Sequence, residues 1–390
     1  MPKVDPDVEA FARIKIIGLG GSGGNAVNHM IQSKVKGVEF LVMNTDAQDL
    51  HHSLAKKKIH IGKNLTRGLG TGMDPEMGKR AVEETKEEVQ NVIKGADMVF
   101  IACGMGGGTG TGASATVARI AREEGVLTVA IVTKPFFFEG KQRMGIAAQG
   151  IAELTKEVDA LIVIPNDKLL SIVEKNTTFE KAFLICDEVL RQAVEGISDL
   201  ITTPGIINVD FADIRAVMSN TGPALMGIGS ATGEKRAIEA ACAAINSPLL
   251  DISITGAKGV LFAIAGGDDL TMHEIQDAAK VITESVDSDA KIIFGAIKDT
   301  KLKKDEVKIT VIASGFPKKT DITQDILENT VDNQSKDNKY KKEENKKNKM
   351  EIHNQVINNN KNSATETDSV DDNNGNDWSA IPAFLRRSNK

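Results

Sequence analysis

Cysteine is scarce in this sequence of 390 residues, and its placement excludes two kinds of site. The three cysteines, Cys103, Cys186 and Cys242, lie far apart, and none belongs to a CxxC pair. Such a pattern provides neither a disulfide framework nor a zinc site. We therefore expect each to be a small buried hydrophobic residue rather than a catalytic thiol. The one adjacent histidine pair, His51 and His52, would point in different directions on a regular element, which disfavours a shared metal.

The sequence also has little that would direct it to nucleic acid or into a membrane. There are 48 Lys and Arg against 54 Asp and Glu, so the formal net charge is −6. This mild acidity disfavours wholesale binding of nucleic acid, which requires a basic face. No run of about 18 apolar residues occurs, so we expect no transmembrane helix and no direct membrane insertion. Residues 1–15 lack an apolar secretory core, which predicts a cytoplasmic protein.

Aromatic residues make up only 4% of the sequence, and the only Tyr and Trp, Tyr340 and Trp378, lie near its C-terminus. Between residues 331 and 376 there are twelve Asn, many charges of both signs and few large apolar side chains. Such a segment cannot bury enough surface to offset its ordering entropy, which predicts disorder. The apolar and basic cluster Ile381–Arg387 that follows predicts a peptide bound by partners, with packing onto its own protein as the alternative.

The body of the sequence alternates short apolar runs with helical patterns. Because the runs are apolar on both faces, they predict a parallel sheet covered by helices on both sides, hence an α/β fold. The first part has predicted strands at 14–19, 38–43, 98–103, 127–132 and 161–164, with helices at 25–32, 74–93, 114–124 and 142–157. A long helix at 179–200 leads to strands at 225–229, 260–265, 292–297 and 307–312 and helices at 233–245 and 272–285.

A glycine-rich loop, Gly18–Asn25, directly follows the first predicted strand and opens a helix. Gly18, Gly20 and Gly23 match the pattern G-x-G-x-x-G. Glycine lets the backbone approach an anion closely and adopt positive φ without strain, and the N-terminus of the next helix offers free N–H groups. The loop predicts a phosphate site. A tight structural turn is the alternative, and the loop alone would also suit a dinucleotide enzyme.

A second loop, Gly104–Gly112, again joins a strand to a helix, and six of its nine residues are glycine. Its backbone amides can form a concave site for a di- or triphosphate, to which Thr109 and Thr111 can add hydroxyl donors. Both loops emerge at the carboxyl ends of parallel strands, where ligands bind. Together they predict a site for a nucleoside triphosphate. No G-x-x-x-x-G-K-[ST] stretch occurs, which excludes a P-loop enzyme.

The run Gly106–Gly112, GGGTGTG, resembles the signature of the tubulin/FtsZ superfamily, and in particular of the FtsZ family of bacterial cell-division proteins. The likeness extends over about residues 10–316, through the stretches Asn44–Gln48, Gly68–Gly72, Pro135–Arg143, Ile164–Lys168 and Asn208–Asp213. The segment Ile381–Arg387 is similar to the terminal peptide of the family. Two departures are Ser22, in a loop that is often all glycine, and Ser114 with Ala115, where Ala-Pro is common.

The resemblance implies a tubulin-like architecture with a Rossmann-like parallel-sheet GTPase domain, a long connecting helix, a second smaller α/β domain and a disordered C-terminal tail. The implied segments are an N-terminal extension (1–12), a GTP-binding domain (13–178), a connecting helix (179–203), a GTPase-activating domain (204–316), a disordered linker (317–376) and a partner-binding peptide (377–390).

The resemblance also implies that the chain binds GTP and GDP, with Mg²⁺ accompanying the nucleotide. The loop residues assigned to the nucleotide are Gly21, Ser22, Gly23, Gly24, Asn25, Gly107, Gly108, Thr109, Gly110 and Thr111. Glu139 and Arg143 are assigned to the ribose and phosphate side, with a surface ion pair as the alternative. Asp187 is assigned to guanine, because a carboxylate can accept two hydrogen bonds that adenine cannot donate. Asn166 assists, and Phe183 stacks on the base.

Asn208, Asp210 and Asp213 correspond to the second half of the active site in this family. The resemblance implies that the two carboxylates orient and polarise a water at the nucleotide of the next subunit. The plain alternative is that Asp210 is a helix N-cap and Asp213 its capping-box partner. The first reading implies a head-to-tail homopolymer at the mid-cell division site beneath the inner membrane. Its Ile381–Arg387 peptides would recruit membrane-anchoring and regulatory division proteins.

Two rival hypotheses remain at this point. A nicotinamide-dependent dehydrogenase would use the first glycine loop, with Asp46 as the carboxylate near the end of the second strand, but it leaves the second loop without a function. A scaffold that binds GTP without hydrolysing it would differ from a GTPase in turnover alone.

Overall fold

The computed structural model describes residues 12–170, 177–203, 205–247, 250, 253–299 and 302–316. The chain divides into a unit of residues 1–318 and a second unit of residues 319–390. The second unit lies outside the described residues, and so do the predicted linker at 317–376, the peptide Ile381–Arg387 and nearly all of the predicted N-terminal extension.

Ten strands form one sheet in the described part of the chain. In chain order they are β1 Ile14–Leu19, β2 Val38–Asn44, β3 Lys57–His60, β4 Met98–Gly104, β5 Leu127–Lys134, β6 Ala160–Pro165, β7 Gly222–Thr232, β8 Gly259–Gly266, β9 Lys291–Lys298 and β10 Glu306–Ser314. Their spatial order is β3-β2-β1-β4-β5-β6-β7-β10-β8-β9. The strands from β3 to β7 are parallel to their neighbours, which confirms the predicted parallel sheet. Strand β10 is antiparallel to both β7 and β8, which the sequence did not predict.

Twelve helices accompany these strands in the described residues. They are α1 Gly20–Gln32, α2 Ala47–His52, α3 Lys63–Thr66, α4 Pro75–Glu84, α5 Lys86–Ile93, α6 Thr109–Glu123, α7 Lys141–Leu154, α8 Asn166–Leu170, α9 Phe179–Thr202, α10 Phe211–Met218, α11 Arg236–Ile245 and α12 Met272–Thr283. A 3-10 turn at Phe137–Glu139 precedes α7. None of the described helices combines the length and the apolar character that crossing a membrane requires.

Strand β1 illustrates how helices cover both faces of the parallel sheet. All six of its residues are buried, and successive side chains of a strand point to opposite faces. Ile14 and Ile16 pack in a hydrophobic cluster with α1 and α9, whereas Ile17 and Leu19 pack in another with α4, α5, α6 and α7. The carboxyl ends of the central strands therefore open between two layers of helices.

Asp159, the residue just before β6, joins the first half of the sheet (β1 to β6) to the second (β7 to β10). Its backbone carbonyl accepts the N–H groups of Thr221 and Gly222 at 2.8 and 2.9 Å. Its carboxylate accepts the N–H of Thr128 at 2.9 Å and that of Asn220 at 3.1 Å. One residue thus links β5 and β6 to the start of β7, so the second half continues the first without a break in hydrogen bonding.

In the second half of the sheet, α11 and α12 cover one face of the strands β7 to β10. The approach of α11 to β7 is very close. A Cβ atom at Gly227 would lie 2.0 Å from the carbonyl oxygen of Ala244, and one at Gly229 would lie 2.2 Å from that of Ala240. Only glycine fits these two positions. The other face carries α10 and belongs to the cluster that includes α9.

The helix predicted at 74–93 is two helices, α4 and α5. Its start is as predicted, because the Asp74 side chain accepts the N–H of Glu76 and Pro75 is the first helical residue. The break is at Thr85, whose φ is −111° and ψ 25°. The Thr85 hydroxyl donates to the carbonyl of Ala81 at 3.1 Å, and such a bond competes with the regular helix ladder.

Both helices that follow the glycine loops begin five residues before their predicted starts. Helix α1 begins at Gly20 rather than at Asn25, and α6 at Thr109 rather than at Ser114. Positive φ angles of +68° at Gly20 and +99° at Gly106 turn the chain from strand to helix. The glycine loops are therefore largely the first turns of helices. The short elements β3, α2, α3 and α8 were not predicted, and α10 was indicated only by the alternative in which Asp210 is a helix N-cap.

Candidate functional site

A cavity of about 310 Å³ lies at the carboxyl ends of β1, β4, β5 and β6. This is the edge at which a parallel sheet binds ligands. Eleven of the residues assigned to the nucleotide from the sequence line it: Gly21, Ser22, Gly107, Gly108, Thr109, Gly110, Glu139, Arg143, Asn166, Phe183 and Asp187. Four others do not, namely Gly23, Gly24, Asn25 and Thr111.

The first glycine loop presents the N-terminus of α1 to the cavity. Gly21 and Ser22 line it, and the N-cap residue, Leu19, makes no side-chain hydrogen bond to the first turn. Gly23 lies on the opposite side of the helix and packs against the sheet, since a Cβ atom there would be 2.3 Å from the carbonyl oxygen of Ala102. Gly23 therefore sets the approach of α1 to β4 rather than the shape of the cavity.

The second glycine loop presents the N-terminus of α6 to the same cavity. This helix also lacks a side-chain cap, and its first turn has no acidic residue. A Cβ atom at Gly108 would lie 2.2 Å from the Thr71 hydroxyl oxygen, so only glycine fits there. Thr111 has a structural role, because its buried hydroxyl oxygen accepts the N–H of Gly106 at 2.9 Å. Two uncapped helix N-termini with free N–H groups thus converge on one cavity, which suits an anion.

Three threonine hydroxyls meet at this end of the cavity. The hydroxyl oxygen of Thr109 lies 2.7 Å from that of Thr45 and 3.2 Å from that of Thr71. Thr71 lines the cavity and was given no role from the sequence, although it belongs to a stretch, Gly68–Gly72, that matched the family. The signal in the sequence that could have identified it is a hydroxyl residue between two glycines, Gly70 and Gly72. In the structure both glycines have positive φ.

Glu139 and Arg143 line the cavity and also form the ion pair that the sequence offered as the alternative, with 2.5 Å between Oε2 and Nη1. Glu139 is also held by the backbone, because its Oε1 accepts the N–H of Phe136 at 3.0 Å. The Glu139 side chain is 15% exposed and that of Arg143 41%. The pair therefore forms one wall of the cavity with a fixed carboxylate and a more accessible guanidinium.

Helix α9 forms the opposite wall. Its residues Phe183, Cys186, Asp187 and Leu190 line the cavity at the spacing that places side chains on one face of a helix. The ring of Phe183 packs edge-on against that of Phe136, with centroids 5.2 Å apart. This wall offers an aromatic ring and a carboxylate side by side, which suits a flat heterocycle with N–H donors.

Asn166 supplies the clearest sign of a missing partner. It is buried at the end of β6 and lines the cavity. Among the described residues, its Oδ1 is buried without any hydrogen-bond partner. A buried acceptor normally has one, so a donor from a bound ligand fits this position.

Burial raises the pKa of Asp187 to about 6, and the charge of His29 opposes that shift. Burial also raises the pKa of the Cys186 thiol to about 12, so this cysteine is an inert part of the wall. Cys103 is fully buried at the end of β4, as predicted, and burial raises its pKa to about 12 as well. Cys242 is half-buried.

The three candidate catalytic residues do not line the cavity. Asn208, Asp210 and Asp213 are all exposed, just before and on the first turn of α10. Asp210 is the N-cap of α10 and accepts the N–H of Ala212 at 3.2 Å. The Asn208 side chain accepts the N–H of Gly205 at 2.7 Å. No capping box with Asp213 accompanies this cap in the described residues, which leaves the Asp213 carboxylate facing solvent.

The described residues include no group of three or more His, Cys, Asp or Glu side chains placed to hold a metal ion. Any divalent ion at the cavity would therefore depend chiefly on oxygens that its ligand brings with it.

Two family models match the chain. One for the GTPase domain of the tubulin/FtsZ family matches residues 13–174, and one for the C-terminal domain of the FtsZ family matches residues 222–317. FtsZ from M. jannaschii, solved as an empty dimer, is 46% identical with a TM-score of 0.76, covering 79% of this chain and 89% of that one. CetZ2 from Haloferax volcanii, solved as a GTPγS-bound protofilament, is similar in fold, with 20% identity, a TM-score of 0.69 and coverage of 83% of this chain and 99% of that one.

These matches agree with the geometry of the cavity and replace the dehydrogenase hypothesis. The GTPase-domain model spans both glycine loops, the Glu139–Arg143 pair and Asn166, and the second model spans β7 to β10. The chain therefore belongs to the FtsZ family of the tubulin/FtsZ superfamily, binds guanine nucleotide and is a GTPase.

Proposed function

We propose that this GTPase forms head-to-tail filaments in cell division and hydrolyses each GTP at the contact between two successive copies. One observation carries the proposal: eleven of the residues assigned to the nucleotide line one cavity, yet the candidate water-activating carboxylates, Asp210 and Asp213, are exposed and outside that cavity. A second copy that brings its α10 to the cavity mouth of the first would complete the site. A contact of this kind between different surfaces does not close on itself and produces an open filament.

Guanine would bind at the α9 wall. Its N1–H and amino group are adjacent donors, which Asp187 can accept as a carboxylate, while the unpartnered Oδ1 of Asn166 accepts a further N–H. Phe183 offers a ring face beside them. Adenine lacks that pair of donors and would leave Asp187 desolvated and unpaired, which costs a few kcal/mol.

The phosphates would bind at the uncapped N-termini of α1 and α6. Backbone N–H groups of the two glycine loops and the hydroxyls of Ser22, Thr71 and Thr109 are the available donors. Mg²⁺ would enter with the nucleotide, bound mainly by phosphate oxygens and water. It would neutralise charge on the phosphates, while the roles of positioning GTP and orienting water belong to the residues of the chain.

The surfaces near the two half-sites support a contact between copies. Leu69 and Phe137, each two residues from a cavity-lining residue, Thr71 and Glu139, are 85% and 79% exposed. Ile206, close to Asp210 in sequence, is 58% exposed, and Phe294 on the edge strand β9 is 37% exposed. Large apolar side chains that are exposed near a half-site are available for an interaction surface. Burying them against each other would favour assembly.

The remaining parts of this proposal concern the C-terminal segment. We expect the peptide Ile381–Arg387 to bind membrane-anchoring and regulatory division proteins, which would hold the filament at mid-cell. A filament carries many copies of this peptide, so weak individual contacts would combine into strong attachment. Removing residues 377–390 should abolish recruitment by such partners while GTP hydrolysis continues.

A subunit-mixing experiment tests the shared site directly. The variant Asp213→Ala keeps an intact cavity, and Asp187→Ala keeps an intact α10, so each alone should hydrolyse GTP poorly. In an equimolar mixture, about a quarter of head-to-tail contacts join an intact cavity to an intact α10, because half of each are intact. Phosphate release from the mixture should exceed the sum of the two separate rates several-fold.

The mixing experiment has a clear negative outcome. A mixed rate equal to that sum, in samples that sediment as filaments, would refute a site shared between copies. The wild-type rate per molecule should also rise steeply with protein concentration, since assembly requires it. A rate per molecule that stays constant on dilution would contradict the proposal independently.

A further inference from the structure

The two ends of the cavity are carried by different helices that meet at one polar contact. Helix α1 presents its N-terminus at the phosphate end, and α9 presents Asp187 at the base end. Near the other end of α1, Nε2 of His29 lies 2.9 Å from Oε2 of Glu188 on α9. The two side chains are 23% and 36% exposed, so the contact is partly shielded from water.

Glu188 is a firmly held partner for this histidine. Its Oε2 also accepts Nε–H of Arg191 at 2.8 Å, and its Oε1 accepts from Arg191 and from Gln192 at 2.6 and 2.7 Å. Burial would raise the pKa of Glu188, but the hydrogen bonds from Arg191 and His29 outweigh it and lower the pKa to about 2. Glu188 is therefore ionised, and Nε2 of His29 must carry the proton that lies between them.

Asp187 immediately precedes Glu188 in the sequence, so any rotation or shift of α9 that breaks the contact with His29 also moves Asp187. His29 acts on Asp187 electrostatically as well, since a positive imidazolium favours the carboxylate over the carboxylic acid. Only the carboxylate can accept both of the N–H donors that guanine offers.

We infer that His29 is a positioning residue for guanine recognition: its Nε2–H holds Glu188 and thereby fixes Asp187 at the base end of the cavity. This inference rests on the proposed role of Asp187 as the guanine-binding residue. Helix α1 then has two roles: its N-terminus faces the phosphates, and His29 near its other end positions the residue that binds the base.

Other charged groups lie around the contact between His29 and Glu188. On α9, Arg191 is paired with both Glu188 and Glu195. From β10, Lys308 faces α9, where burial lowers its pKa and Glu195 raises it. Across the cavity, Glu139 and Arg143 pair with each other. Among all of these groups, His29 is the charge that acts on Asp187.

The sign of the expected pH dependence follows from Asp187. Its pKa is raised in the free protein, so at acidic pH binding of guanine must first remove a proton, and affinity falls as the pH decreases. His29 lowers the pKa of Asp187 where the imidazole is protonated, so its loss raises that pKa further. The decrease in affinity should then begin at a higher pH in a variant that lacks the imidazole.

Three variants test the hydrogen bond between His29 and Glu188. His29→Ala removes it, His29→Gln keeps an N–H donor for Glu188, and His51→Gln is a matched control at an exposed histidine. Affinities for GDP and for IDP, which lacks the amino group of guanine, are measured by calorimetry between pH 5 and 8 in wild type and variants. Circular dichroism shows whether each variant is folded.

We expect His29→Ala to weaken GDP binding about tenfold at pH 7.5, with a smaller ratio of GDP to IDP affinity and a decline that starts at higher pH. We expect His29→Gln to restore the ratio, because its amide N–H can still donate to Glu188, and His51→Gln to match wild type. A general loss of stability would weaken GDP and IDP equally. A folded His29→Ala with the wild-type ratio of GDP to IDP affinity would overturn the inference, and if His29→Ala does not fold, the same ratio in His29→Leu, which fills the space without a donor, decides it. A wild type that binds no GDP would instead overturn the proposed function.

Discussion

The helices that begin at the cavity and the helix that carries Asp213 differ in whether carboxylates occupy their N-termini. Helices α1 and α6 have no side-chain cap and no acidic residue in their first turns. Helix α10 begins with the Asp210 cap and has Asp213 in its first turn. The positive end of a helix dipole attracts an anion, and α10 satisfies that end with its own carboxylate, whereas α1 and α6 leave it free. The N-termini of α1 and α6 therefore suit an anion such as phosphate, whereas the N-terminus of α10 presents carboxylates.

The largest effect should come from the α10 side of this comparison. Asp213→Ala removes a carboxylate that is exposed and outside the cavity, so GTP affinity should stay within about twofold while turnover falls at least about 100-fold, the scale of a lost general base. Calorimetry and phosphate release measure the two quantities. Asp289→Ala, at an exposed aspartate elsewhere, should leave both at wild-type values. Unchanged turnover in Asp213→Ala would remove the functional distinction between α10 and the cavity helices.

On the cavity side, a methyl group at the start of α6 should have the next largest effect, which is on GTP binding. A Cβ atom at position 108 would collide with Thr71 and with the backbone of Asp74 at 2.7 Å. We expect Gly108→Ala to weaken GTP binding about 30-fold or more, as the phosphate loop shifts. Gly145→Ala, at a helical glycine with open space around it, is the matched control and should bind normally. Normal binding by Gly108→Ala would show that the loop does not hold the phosphates.

The third prediction concerns the pH dependence of nucleotide binding at the base end of the cavity. With the pKa of free Asp187 at about 6, GDP affinity should fall about tenfold between pH 7.5 and 5, because the carboxyl must ionise to accept from guanine. Asp187→Asn removes this group, so its weaker GDP binding should show less dependence on pH. Calorimetry on both proteins checks the difference. Identical pH profiles would assign the effect to the nucleotide phosphates rather than to Asp187.

The smallest effect should come from the threonine that the sequence did not single out. Thr71→Val keeps the shape of the side chain but removes the hydroxyl 3.2 Å from that of Thr109. One neutral hydrogen bond corresponds to a few-fold change, so GTP affinity should fall about three- to tenfold. Thr283→Val, at an exposed threonine on α12, serves as the control. Full affinity in Thr71→Val would leave the phosphate end to the glycine loops and Thr109.

Much of the fold follows from local patterns in the sequence. β1, β4 and β5 are continuous apolar runs, and the Asp74–Pro75 pair marks a helix start by simple capping chemistry. The glycine loops identified the cavity because so costly a composition requires a reason. The glycine pattern could not show that Gly23 and Thr111 have structural roles. Gly23 packs against Ala102, which is distant in sequence, and Thr111 accepts a hydrogen bond from Gly106 that depends on the conformation of the loop.

Other features escaped prediction because tertiary contacts decide them. Gly20 and Thr109 begin helices although glycine-rich segments have low helix propensity, because strand-to-helix packing outweighs that preference. Thr85 breaks a continuous helical pattern through one side-chain hydrogen bond. The contact between His29 and Glu188 joins residues 159 positions apart, and no periodicity in the sequence could have brought them together.

Strand β10 has a consequence for the order in which the protein can be made. It follows β7, β8 and β9 in the chain, yet it lies between β7 and β8 and pairs with both. On the ribosome, β7 already has β6 as a neighbour and β8 can pair with β9, but each keeps one unpaired edge until β10 is made. An open edge can capture another chain, so slower synthesis of the segment up to residue 306 should increase misassociation of newly made protein.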